Sequence, residues 1–155
     1  MMKKTKTRMV LCCALIAANV CLIWGNSLLN GDTSGDLSGG LSAWIGKIIP
    51  FLSPQSPYGH FLLRKCAHFS VFFLLGTELT WLFGMMRKNR VFLYALSVSA
   101  VVAAIDETIQ RFIPGRHGCL SDVLIDCSGA LTGMLILFLG YTLLQRKKHK
   151  QERAL

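Results

Sequence analysis

Seven polar side chains recur at helical spacing inside otherwise apolar stretches of the chain. Lys65 and His68 are three apart, Asp106 and Gln110 four apart, and Asp122 and Asp126 four apart, so each pair shares one helix face. Glu107 is turned about 100° from Asp106. Two basic groups, four carboxylates and an amide could do two kinds of chemistry. As paired hydrogen-bonding groups they could take up an anionic or hydroxylated ligand. With His68 as general base or nucleophile and Asp106, Glu107, Asp122 and Asp126 around a divalent ion, they could support phosphoryl or acyl transfer. Carboxylates suit Mg²⁺ or Mn²⁺, although no cofactor is required by the pattern. On this reading His68, Asp106 and Glu107 are the catalytic candidates. A buried ion pair can also merely fix helix register. One pair would be read that way; a set of this size favours function.

The elements that position these groups follow from composition. The chain has 155 residues, of which 52% are hydrophobic and only 16% charged. That excludes disorder and an ordinary water-soluble domain. A bilayer span takes about 20 apolar residues, so the chain holds three to five spans and no separate soluble domain. Four are predicted, at about residues 9–27, 62–86, 91–112 and 122–144. The result is one all-α membrane domain over residues 1–155, a bundle of four transmembrane helices. The first stretch reads as an uncleaved anchor, because no small-x-small cleavage site follows it.

Lys and Arg number 17 against 8 Asp and Glu, a net charge of +9. Twelve of the 17 fall in three short tracts: Lys3 to Arg8, Arg87 to Arg90, and Arg146 to Arg153. Each abuts an apolar segment, which is the placement of a topology signal and not of a nucleic-acid surface. With four spans all three tracts lie on one face, so both termini and the second loop are expected in the cytoplasm. The remaining five basic residues and six of the acids lie toward the outer face.

With spans two and four descending from outside and span three rising to it, His68, Asp106 and Asp126 should share a depth roughly one to two turns below the outer interface. Asn26 and Ser27 at the end of span one would complete the ring. A polar, water-accessible pocket opening outward is therefore expected. Over it lies the turn Arg111, Pro114, Gly115 and Arg116, where an Arg could bind phosphate or carboxylate or pair with lipid headgroups. Glu78, deeper in span two, reads as a helix–helix hydrogen-bonding group.

Between the first two spans, Asn30 to Gly40 reads as a flexible loop. Leu41, Trp44, Ile45, Ile48 and Ile49 then form an apolar helical face ended by Pro50. This short amphipathic helix either lies on the outer leaflet or packs on the spans. Of six Cys, only Cys66 and Cys119 lie near the oxidising side, where a disulfide is one option.

The motifs resemble those of the VanZ-like membrane proteins, a family named for an accessory factor in teicoplanin resistance. Lys65-Cys66-Ala67-His68-Phe69 is similar to that family's Lys-x-x-His-Phe. Asp106-Glu107-Thr108-Ile109-Gln110, followed by Pro114-Gly115-Arg116, is similar to its Asp-Glu-x-x-Gln run and Pro-Gly-Arg. Asp122, Asp126 and Gly129 are similar to its Asp-x-x-x-Asp-x-x-Gly entry into the last helix. Val71 and Phe72 stand where the family commonly has Glu and Tyr. The resemblance covers about Trp24 to Gly133. It implies a multi-pass protein of the bacterial plasma membrane, part of the cell envelope, that affects resistance to glycopeptide antibiotics. The partners expected of the outward pocket are the lipid bilayer and a lipid-linked cell-wall precursor, an anionic lipid or the glycopeptide itself. The ligand would lie among Asn26, Ser27, Lys65, His68, Asp106, Glu107, Gln110, Arg111, Arg116, Asp122 and Asp126. A metal-assisted enzyme acting on a lipid-linked substrate is the alternative.

Overall fold

The computed structural model describes residues 2–29, 40, 43–49, 56, 59–86, 88–116 and 118–152. Four long helices carry the fold: α1 (Met2–Ser27), α2 (Gly59–Met85), α3 (Val91–Phe112) and α4 (Leu120–Glu152). Each contains a stretch long and apolar enough to cross a membrane: Thr5–Ser27, Phe61–Met85, Val91–Phe112 and Leu120–Lys147. The all-helical membrane bundle expected from the sequence is the fold observed. α1 and α4 run beyond the predicted spans, because Lys, Arg, Gln and Met are good helix formers and no Pro interrupts the basic tracts.

A short helical turn at residues 43–46 lies between α1 and α2. Trp44 and Ile48 there are exposed rather than packed on the spans. Asn30 to Gly39, with Leu41, Pro50, Arg87 and His117, lie outside the described residues.

The outer surface of the bundle is apolar on every helix, with Leu15, Leu74, Trp81, Val101 and Leu135 among the exposed side chains. Helices hydrophobic all round belong in lipid, where the backbone satisfies itself and apolar side chains face acyl tails. The core comprises Ile23 of α1, Phe72, Leu75 and Leu79 of α2, Val102 of α3 and Met134 of α4. Val71 and Phe72 are accounted for in this way. Phe72 is fully buried in the core, and Val71 packs against it half-buried.

The most extensive interface is between α2 and α4. A Cβ built on Gly76 would strike the backbone of Ala130. One on Gly129 would strike the backbone of Phe69, and one on Gly133 that of Phe73. Small residues at one face allow two helix backbones to meet, the device by which membrane helices pack without a hydrophobic drive. That close approach registers the polar residues of α2 against those of α4.

Candidate functional site

Toward one end the inward faces of all four helices change from apolar to polar. This is the end opposite the three basic tracts, formed by the C-termini of α1 and α3 and the N-termini of α2 and α4. On α3 the buried face reads Ala95, Ser99, Val102 and Ala103, then Asp106, Glu107 and Gln110. The helix repeat brings the three polar groups inward together.

Asp106 is fully buried and bound by two neutral donors. Ser27 Oγ donates to its Oδ1 at 2.6 Å, and Gln110 Nε2 donates to its Oδ2 at 2.8 Å. Gln110 Nε2 also donates to Ser27 Oγ at 3.0 Å, closing a three-membered network between α1 and α3. Arg64 Nη2 donates to Gln110 Oε1 at 2.7 Å and ties α2 to it. The long guanidinium stem of Arg64 lets it reach α3 from a half-exposed position. By charge placement alone Arg64 is one of the five basic residues outside the three tracts. Its four-residue spacing from His68 is the signal that could have found it.

Two further contacts join α2 to α4. Lys65 Nζ forms an ion pair with Asp122 Oδ1 and lies 5.0 Å from the centre of the Phe61 ring. His68 Nδ1 lies 3.2 Å from Asp126 Oδ1, both side chains being buried. Glu107 has a different task. Its Oε2 accepts from the backbone N–H of Cys119 at 2.6 Å, immediately before α4 begins. A carboxylate there satisfies an amide at the helix entrance and suits the positive end of the dipole.

The link from α3 to α4 carries Arg116. Arg116 N–H donates to Ile113 C=O at 3.2 Å, with Pro114 and Gly115 between them and Gly115 at φ 75. A Pro-Gly turn needs that positive φ at its second central residue, and it aims Arg116 inward. The side chain is 5% exposed, and Nη2 donates to the backbone C=O of Asn26 at 2.8 Å. Burial and the neighbouring Arg64 draw its guanidinium below the ordinary Arg value, while Asp106 and Glu107 act to hold it up.

Of the residues singled out in the sequence, the structure thus gathers Ser27, His68, Asp106, Glu107, Gln110, Asp122 and Asp126 as buried groups at one end, with half-buried Lys65 paired to Asp122 and Arg116 beside them. Asn26 contributes its backbone oxygen while its side chain is exposed, and Arg111 is exposed at the end of α3. The cluster does not line the open, water-accessible chamber that the sequence suggests: Asp106, Gln110 and Asp126 are fully buried against their partners. Side chains that face one another at one depth fill the space between them. The structure has an apolar groove of about 360 Å³ elsewhere, between α2 and α4 toward the basic end, lined by Phe73, Thr77, Gly133 and Tyr141 among others. Cys66 and Cys119 are both free thiols. Glu78 accepts from Asn19 Nδ2 at 3.3 Å, the helix–helix contact expected of it.

Several buried atoms of the cluster have no hydrogen-bond partner among the described residues: His68 Nε2, Glu107 Oε1, Asp126 Oδ2, and Arg116 Nε and Nη1. Buried polar groups are ordinarily paired, and these five are the polar atoms of the region that the described side chains leave open. His68, Asp106, Glu107 and Asp126 each offer a donor atom, and these atoms lie within 4.8 Å of one another. That donor set fits a divalent cation in kind and in spacing.

No curated protein and no solved structure matches the chain. A family model described as VanZ/LLP1 does, over residues 9–143, a stretch that takes in the second and third spans, most of the first and last, and every residue of the cluster. The chain therefore belongs to the VanZ/LLP1 family.

Proposed function

We propose that this VanZ-like membrane protein resides in the bacterial plasma membrane with its polar end outward. There it binds the anionic part of an envelope lipid, a lipid-linked cell-wall precursor or a glycopeptide, and so alters susceptibility to teicoplanin-type antibiotics. The outward orientation is supported by the basic tracts, all at the opposite end of the bundle. The observation that carries the binding reading is Arg116, a nearly buried guanidinium with one nitrogen engaged and two without partners. Phosphate or carboxylate oxygens are the acceptors that satisfy such groups best. Half-buried Arg64 and Lys65 and exposed Arg111 add positive charge at the same end of the bundle.

The test is binding of fluorescent lipid-linked precursor, anionic lipid or labelled teicoplanin to the protein in nanodiscs. It is paired with teicoplanin susceptibility of cells producing it. Arg116→Ala should lose both, and Arg116→Lys should not restore them, because an ammonium lacks the planar donor fork. Unchanged binding in Arg116→Ala would remove Arg116 from the role.

A metal-assisted enzyme acting on a lipid-linked substrate is the second reading. The convergence of His68, Asp106, Glu107 and Asp126 favours it. Turnover of lipid-linked phosphate or acyl esters by the purified protein, abolished by Asp106→Asn without loss of folding, would decide for it.

A further inference from the structure

We infer that a divalent first-row metal cation, Mn²⁺ or Zn²⁺, is held by His68, Asp106, Glu107 and Asp126 as a resident part of the polar cluster. This deepens the proposed function by naming what the carboxylates are for, but it does not rest on ligand binding at Arg116. A cation can be weighed in protein that carries no lipid ligand.

Geometry is the first support. Ligand atoms about 2.1 Å from an ion stand about 3.4 Å apart in a tetrahedral site and at most about 4.2 Å apart across a larger one. The four donors here lie within 4.8 Å, so the set has only to draw in by side-chain movement to close around an ion.

The second support is which atoms are left over. On His68, Glu107 and Asp126 one donor atom is fixed by the protein and the other is orphaned. His68 Nδ1 faces Asp126 Oδ1, leaving His68 Nε2 and Asp126 Oδ2; Glu107 Oε2 takes the Cys119 amide, leaving Oε1. Outer hydrogen bonds orient metal ligands; here the Cys119 N–H holds Glu107, Ser27 and Gln110 hold Asp106, and His68 and Asp126 hold each other. His68 is 7% exposed, Glu107 4% and Asp126 fully buried, so bulk water does not meet these atoms.

Charge is the third. Among the four acids of the polar end, Asp122 is taken by Lys65. That leaves three buried acids, Asp106, Glu107 and Asp126, facing the guanidiniums of Arg116 and Arg64. The acids outnumber the cations in a buried setting, where unpaired charge is costly, and a bound cation offsets the excess.

The donor chemistry narrows the ion. Ca²⁺ takes six to eight oxygens and Mg²⁺ keeps most of its waters, whereas an imidazole among carboxylates suits Mn²⁺ or Zn²⁺. The set also differs from the one suggested by spacing alone. Asp122 drops out because Lys65 holds it, and His68 enters as a ligand.

The test uses the full-length protein in nanodiscs, stripped with chelator, exposed to Mn²⁺, Zn²⁺, Mg²⁺ or Ca²⁺ and desalted. Stoichiometric Mn²⁺ or Zn²⁺ by mass spectrometry, a raised unfolding temperature and an immobilised Mn²⁺ paramagnetic resonance spectrum are expected. His68→Ala and Glu107→Gln should each weaken binding by more than the roughly 10–100-fold that loss of an outer hydrogen-bond partner costs. Glu78→Gln, in the separate contact with Asn19, should bind as the unaltered protein does. Glu107→Gln keeps shape and volume, so it remains informative where His68→Ala does not fold. Absence of retained ion together with an unchanged unfolding temperature would overturn the inference. So would equal Mn²⁺ affinity in Glu107→Gln, or an equal response to Ca²⁺.

Discussion

His68 and Asp126 face each other across the α2–α4 interface at 3.2 Å, and one turn nearer the helix starts Lys65 meets Asp122 in the same order. The two rungs follow from parallel helices, with a three-residue step on α2 matched to a four-residue step on α4. The rungs differ in exposure. Lys65 is half-buried, while His68 and Asp126 are buried. Asp126→Ala should therefore lower stability by about 3–5 kcal/mol, the cost of leaving one member of a buried pair alone. Lys65→Ala leaves the buried Asp122 without its partner but nearer to water, and should cost less, about 1–3 kcal/mol. Unfolding in a single detergent ranks them; a larger loss from Lys65→Ala would show that the inner rung is not the stronger.

Ser27 is the only α1 side chain found within the network of Asp106 and Gln110, among the described residues. Its hydroxyl donates to one and accepts from the other, so Ser27→Ala strands two buried groups. The expected loss is about 1–3 kcal/mol. Because Gln110 also reaches Asp106 directly, Ser27→Ala and Gln110→Ala remove overlapping interactions. Their combined effect should fall short of the sum by about 0.5 kcal/mol or more. Additive losses would mean that the three side chains act separately.

These contacts also show where sequence reading ends. The spans and the common level of the polar groups are legible because apolar length and charge placement are local properties. Helical spacing says that Asp106 and Gln110 share a face, yet not how that face is rotated toward its neighbours. Hence Lys65 and His68 can be set against Asp106 or Asp126 on paper, whereas α4 supplies both partners and Asp106 is held by neutral donors. Arg64 reaches Gln110 only through the length of its side chain, which no periodicity reports. Whether the polar ring is open or packed depends on side-chain fit at one level, and that too is tertiary. The close approach of α2 and α4 has a local signature, Gly129 and Gly133 four apart facing Gly76, but its partner helix is not named by the pattern.

That approach carries its own prediction. Gly129→Ala puts a methyl group against the Phe69 backbone, and Gly133→Ala puts one against the Phe73 backbone with Thr77 Oγ1 at 2.6 Å. Backbone cannot swing aside as a side chain does, so the helices must part. Each change should cost about 1–3 kcal/mol, as overpacking does. Gly129→Ala should in addition loosen the His68–Asp126 rung one turn away. Gly140→Ala, with no neighbour near its Cβ, should leave stability unchanged or slightly raised, since Ala is the better helix former. Equal losses at all three positions would mean that helix propensity, not interhelical contact, governs them.

Cys119 offers a test of orientation that is independent of ligands. It is exposed just before α4 at the polar end, and Ser121 Oγ donates to its Sγ at 3.1 Å. That hydrogen bond draws the thiol below its ordinary value, so more thiolate is present near neutral pH and alkylation is faster. In a variant with the other five Cys replaced, a membrane-impermeant maleimide should label Cys119 on intact cells. Ser121→Ala removes the donor and returns the thiol upward, so the labelling profile should move to higher pH. In the reverse arrangement, with Cys119 replaced and Lys88→Cys placed in the α2–α3 turn, labelling should require permeabilised cells. Labelling of Lys88→Cys on intact cells would put the basic tracts outside and the polar cluster on the cytoplasmic side.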